Sequence, residues 1–372
     1  MCNIMGIFDK MFKTKNEGEK NSSDILKEKL IDENIPLSEK KKIVKKLERN
    51  YYSPSNESER IWYYIAKEDW AEVKKFRRSA TPQILWLLHQ EKINITLPHP
   101  EKELIFLKDI SNFIKSIGDN VIINNLYSEL TLNAKKFEGD FKPTSIEHNA
   151  VLILSEIRDM RVKETLYKFL NYQYSKDIDS NSEQIAKPER FISCLNTHIK
   201  IALFGLEKFP DPNDINILKS TFVNAWSAVH FLASLESRGG VRLMTYNSSI
   251  EEIFPLIHQL EDIFISYGKP SVNSLKELLK SDVFRENGNA IISILKIIKG
   301  ICGITAIPLI IESFKEGDDF MRREIVDLLS SFGDEAIIPL QEACQSQTDQ
   351  RIKHILSQIP KKIKGEVKTV YI

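Results

Sequence analysis

Glycine heads three similar stretches near the C-terminus: Gly268-Lys-Pro-Ser-Val272, Gly303-Ile-Thr-Ala306-Ile-Pro308-Leu309 and Gly333-Asp-Glu-Ala336-Ile-Ile-Pro339-Leu340. Each opens an apolar-periodic segment, and the stretches recur at about 30 to 37 residues, the length of one helical hairpin. A hairpin of that size cannot bury its own apolar face, so neighbouring units must stack and share a core. The pattern therefore predicts an all-α chain built as an α-solenoid of stacked antiparallel helix pairs.

The rest of the chain carries the same periodicity. Apolar residues at i, i+3, i+4 and i+7 recur as Ala150, Ile153, Leu154 and Ile157, then Ile199, Ala202, Leu203 and Leu206, then Ile291, Ile294, Leu295 and Ile298. Two further stripes are Ile325, Leu328, Leu329 and Phe332, and Ile352, Ile355, Leu356 and Ile359. Such stripes are the inward faces of amphipathic helices. Alternating strand patterns with hairpin turns are not evident, which disfavours a sheet.

The organisation expected is an amphipathic and polar N-terminal segment over 1–23, a divergent helical region over 24–237, regular repeats over 238–360, and a basic tail over 361–372 that frays. Ile7, Phe8, Met11 and Phe12 share one side of a short lysine-flanked helix. Residues 5–15 would thus allow weak peripheral membrane contact, with a docking peptide or a frayed start as the other readings. Ser38 is the expected cap of a helix carrying Ile43, Val44 and Leu47 amid Lys40, Lys41, Lys42, Lys45 and Lys46. Polar residues between Tyr174 and Lys187 read as an inserted loop, and Gly239-Gly240 as a break between sub-arrays or a kink within one.

The C-terminal hundred or so residues resemble HEAT repeats of the short bacterial and archaeal type. In that family a Gly ends one repeat, Ala and Pro sit in the next first helix, and an Asp followed three residues later by Arg marks the turn into the second. Here Gly303, Ala306 and Pro308 lead to Asp319-Phe-Met-Arg322, and Gly333, Ala336 and Pro339 lead to Asp349-Gln-Arg351. Asp282-Val-Phe-Arg285 supplies an earlier turn. The resemblance implies that each Asp caps a second helix and that each Arg reaches the neighbouring unit's Asp. Arg351 falls one position early, and Ser274 stands where Pro is expected. A further echo runs from Ala66 through Trp70 and Val73 to Ala80, Ile84 and Leu88, with Arg77 where Gly is usual. Residues Ile157 to Val162 look like another junction.

Composition narrows the function. The 372 residues carry 52 basic and 52 acidic side chains, so no global field holds a polyanion. Four cysteines lie scattered without Cys-x-x-Cys spacing, which disfavours a zinc site or disulfide framework and suggests a cytoplasmic setting. No run of about 18 uncharged apolar residues is evident, so no spanning helix is expected. The seven histidines never form His-Glu-x-x-His. A HEAT-like di-iron hydroxylase would need paired His-Glu steps, whereas Glu147-His148 is reversed and occurs once. Neither a nucleophile elbow nor a phosphate-cradling glycine loop is present. No catalytic residue, cofactor or metal ligand is assigned.

The reading is a non-enzymatic cytoplasmic scaffold that binds a protein partner on its concave face, with Asn289, Ser293, Lys296, Arg323, Glu324 and Asp327 as candidate contacts. A nucleic-acid-binding protein is the alternative, resting on the lysine helix, the basic tail and Trp62, Trp70, Trp86 and Trp226, which either stack on bases or pack in a core. A repeat-type bilin lyase ranks third. The helix phase is itself testable: Leu329→Ala should cost about 2 to 5 kcal/mol in chemical denaturation by opening a cavity between units. A loss under about 0.5 kcal/mol would mean that Leu329 does not face the core.

Overall fold

Helices account for all the regular structure among the described residues, which in this computed structural model are 22–50, 52–95, 100–118, 120–132, 145–171, 188–237, 243–281, 284, 287–315 and 317–371. The N-terminal segment 1–21, the loop at 174–187, the Gly239-Gly240 break, Asp282 and Arg285 lie outside them. Compactness divides the chain at Val162/Lys163 into two units, inside what reads from sequence as one divergent region.

The first unit contains α1 (Ser22–Ile31), α2 (Leu37–Arg49), α3 (Glu57–Lys67), the short α4 (Trp70–Val73), α5 (Thr81–Gln90), α6 (Glu101–Ile117), α7 (Asn120–Leu132) and α8 (Ser145–Glu156). The first three pack on one another, and α8 receives α5, α6 and α7. Ile43, Val44 and Leu47 form the buried stripe of α2 as their spacing requires. Its cap is not Ser38. The helix begins at Leu37, whose N–H donates to the Glu91 carboxylate at 3.1 Å, so a side chain 54 residues away satisfies an orphan donor.

Lys40 departs from its neighbours in the lysine run. It is fully buried, and its ammonium donates to the Leu30 and Asp32 carbonyls at 2.6 and 2.7 Å, where α1 ends. The charge lies 4.1 Å from the Trp62 ring and 5.4 Å from the Trp86 ring, which meet edge to face. Carbonyls at the negative end of a helix and two ring faces replace water around the cation. Burial pulls its pKa down to about 8, against the opposing pull of Asp32 and Glu33. Asn149 on α8 anchors the other half of the unit. Its Oδ1 accepts from Ile93 N–H at 2.9 Å, and its Nδ2 donates to the Leu88 and Glu91 carbonyls at 2.8 and 2.6 Å. One buried amide thus ties down the exit from α5.

The second unit contains α9 (Lys163–Asn171), α10 (Pro188–Cys194), α11 (Lys200–Glu207), α12 (Ile215–Ser237), α13 (Leu243–Tyr267), α14 (Lys269–Lys280), α15 (Gly288–Cys302), α16 (Ile307–Glu312), α17 (Asp319–Ser330), α18 (Ile337–Ser346) and α19 (Gln350–Ile363). From α12 onward the main contacts join each helix to its next or next-but-one neighbour: α12 to α13 and α14, α13 to α15, α15 to α17, and α17 to α19. The stretch Gly288–Glu312 is long and apolar enough to cross a membrane by length and composition alone, although Lys296 and Lys299 interrupt it. Gly303 breaks it into two helices, and Ile294, Leu295, Ile297, Ile298 and Ile310 bury in the unit's core.

One backbone turn recurs at the glycines that head the similar stretches of sequence. Gly268 has φ 71° and ψ −145°, Gly303 has φ 56° and ψ −140°, and Gly333 has φ 66°. Three residues later stands a small buried side chain, Ser271, Ala306 or Ala336, and seven residues later a large one, Leu275, Ile310 or Leu340. Arg77, in the first unit, adopts φ 49° and ψ −126°, with Ala80 and Ile84 buried at the same offsets. The position where glycine is usual thus keeps glycine's conformation without glycine. This region is open to glycine and strained by about 1 to 3 kcal/mol for other residues.

Two substitutions test the junction by denaturant midpoint. Gly303→Ala should destabilise by about 1 to 3 kcal/mol; because its Cβ would meet nothing within 4 Å, the cost is backbone strain alone. Arg77→Gly should stabilise by about 1 kcal/mol, the relieved strain exceeding glycine's extra freedom in the unfolded chain. Destabilisation by Arg77→Gly would refute the shared turn.

Candidate functional site

The six side chains expected on one face do not share one environment. Asn289 and Lys296 are exposed on α15, but Ser293 between them is 4% exposed and donates its hydroxyl to Glu261 on α13. The stripe on α15 is wider than the i, i+3, i+4 pattern allows, since Ile292, Ser293 and Ile297 are buried along with Ile291, Ile294, Leu295 and Ile298. Helices press on α15 from both sides, which withdraws Ser293 from any partner surface. On α17, Arg323 and Asp327 are exposed and Glu324 is half-buried.

The capping residues also differ in detail from the expected signature. Asp318, not Asp319, caps α17, accepting from Met321 N–H at 2.7 Å. Asp349 caps α19 as expected, accepting from Arg351 and Ile352 N–H at 2.9 and 3.3 Å. Asp319 is thereby free to pair: Arg322 of its own helix and Arg351 of α19 both reach its Oδ1 at 3.3 Å. The expected Arg-to-Asp link thus joins α19 to α17, though an exposed pair contributes only about 0 to 1 kcal/mol. Pro308 and Pro339 lie in the opening turns of α16 and α18, where a missing N–H costs little.

The C-terminal tail does not fray among the described residues. α19 ends in a glycine turn: Gly365 has φ 73°, its N–H reaches the Lys362 carbonyl, and Glu366 N–H reaches the Lys361 carbonyl at 2.9 Å. This pairing reverses the chain. Val370 then buries, and Lys368, Thr369 and Tyr371 join Arg323, Val326 and Asp327 of α17 and Lys362 of α19 around a pocket of about 480 Å3. Lys362 donates to the Asp327 carboxylate and neutralises it. Among the described residues no ion pair involves Arg323 or Lys368. The pocket thus presents Arg323 and Lys368, with no carboxylate partner among the described residues, over an aliphatic wall. Sequence reasoning found Arg323 and Asp327 but missed the tail; the available signal was Gly365, just beyond a lysine-rich helix end.

A second polar constellation lies where α9, α13 and the loop before α12 meet. The buried Asp214 accepts from the hydroxyls of Tyr167 and Tyr267, the latter at 2.8 Å, and pairs with Lys163 at 3.2 Å. Lys163 also donates to Asp211 at 2.5 Å. Burial depresses the Lys163 pKa, but bonds to Asp211, Tyr167 and Asp214 outweigh it and lift the ammonium to about 12. Burial and the bond to Asp214 raise both tyrosines. Every donor here has an acceptor, so the cluster staples three segments. Among the described residues no group of three or more His, Cys, Asp or Glu side chains could hold a metal ion. Trp62, Trp70 and Trp226 are buried, so packing rather than base stacking occupies them.

No family model, curated protein or solved structure matches the chain.

The cluster sets an alkaline limit. Lys163, raised above its unfolded value of about 10.5, contributes stability fully present below that pH and lost as pH climbs through about 12. The tyrosines act in the same sense from about pH 10, where unfolded tyrosine ionises. Urea midpoints should therefore fall between pH 10 and 12, and Asp214→Asn should cost about 3 to 5 kcal/mol at neutral pH. A midpoint that is flat across this range in the unsubstituted protein would contradict the assignment.

Proposed function

We propose that the chain is an α-solenoid of HEAT-like repeats that serves as a non-enzymatic scaffold in the cytoplasm and binds a protein partner along its C-terminal helices. The recurrent junction carries the reading: a turn at φ above zero, a small buried residue at the third position beyond it and a large one at the seventh, four times over. Helices from α12 to α19 that pack mainly on near neighbours support it, as does the Asp319–Arg351 link. Contacts would come from Asn289, Lys296, Arg323, Glu324 and Asp327, with arginine a frequent anchor of such surfaces.

The nucleic-acid reading has weaker support. Lys40 is buried, Lys41 and Lys42 are paired with Glu68 and Glu39, and the net charge is zero. Arg323→Glu with Lys296→Glu tests the scaffold reading in a nuclease-treated lysate. A discrete polypeptide should co-purify with the parent chain and fall about tenfold in the double variant, equivalent to about 1.4 kcal/mol. Nucleic acid that co-purifies from an untreated lysate and that salt strips off steeply would contradict it.

A further inference from the structure

We propose that the pocket between α17 and the C-terminal tail binds a phosphate monoester carried on an apolar body. The inference stands on the pocket's geometry and does not require the scaffold reading. Arg323 and Lys368 face the same cavity with no ion pair among the described residues, while Asp327, the acid that lines it, is taken by Lys362. These two cations match the charge of about −1.5 to −2 on a phosphoryl group near neutral pH, and the arginine fork suits two of its oxygens. The Thr369 hydroxyl adds a donor. A phosphate ion alone would leave most of about 480 Å3 empty, and Val326 and Val370 give the remaining space an apolar wall. Tyr371, 82% exposed, stands at the rim, where its ring can close over an aromatic or aliphatic group.

The source of the phosphoryl group is either a free small molecule or a phosphorylated side chain. Titration of the full chain with phenyl phosphate, followed by calorimetry, decides whether the site exists. Saturable one-site binding is expected, at least about tenfold tighter than phenol or inorganic phosphate. Arg323→Ala and Lys368→Ala should each weaken it about tenfold with helicity and thermal midpoint unchanged, whereas Lys353→Ala, outside the pocket, should not. A phosphotyrosyl tripeptide binding more tightly than phenyl phosphate assigns the source to a protein, and weaker binding assigns it to a small molecule; both uphold the site. Absence of saturable phenyl phosphate binding up to about 10 mM, or equal binding by Arg323→Ala, overturns it.

Discussion

Helices of ten to fourteen residues, such as α5, α17, α18 and α19, are marginal on their own in water. Their stability has to come from burying one apolar stripe against a neighbour, and everything else in this chain follows from arranging that burial. The junction turn is the device. A backbone at φ above zero redirects the chain, a small residue at the third position lets the next turn approach closely, and a large residue at the seventh fills the space beyond. Where the turn is glycine the geometry costs little; at Arg77 it is held by surrounding packing.

Buried polar groups then choose among the ways such helices could slide. Lys40 marks the end of α1, Asn149 ties the exit of α5 to α8, and Asp214 gathers α9 and α13. Each is fully used by its partners, which is what keeps its desolvation from being ruinous. Apolar stripes tolerate a shift of one turn; a carbonyl pair fitted to one ammonium does not. Register is the role we assign to these three anchors.

Much of the fold was legible because it rests on period and punctuation. The stripes through Ile199 to Leu206 and Ile352 to Ile359 are buried as their spacing demands, and the glycines at 268, 303 and 333 occupy the positions that need them. The site was less legible. Ser293 reads as surface because it is polar, yet α15 is packed on both sides and the hydroxyl is spent on Glu261. Lys40 reads as one of five like lysines around a helix, because nothing local reveals two carbonyls and two indoles arriving from elsewhere. The cap of α17 moved from Asp319 to Asp318 since adjacent acids are interchangeable in sequence. The tail looked free because its docking depends on Gly365 and on a cavity that only the folded α17 provides.

If near-neighbour burial governs the second unit, a disturbance at one end should fade along it. Amide hydrogen exchange of the Leu329→Ala variant measures this most directly. Exchange should accelerate from α16 through α19 and remain unchanged in α11 and α12, because neither of those helices depends on the altered contact. A uniform acceleration from α9 to α19 would show a single cooperative core and contradict the account.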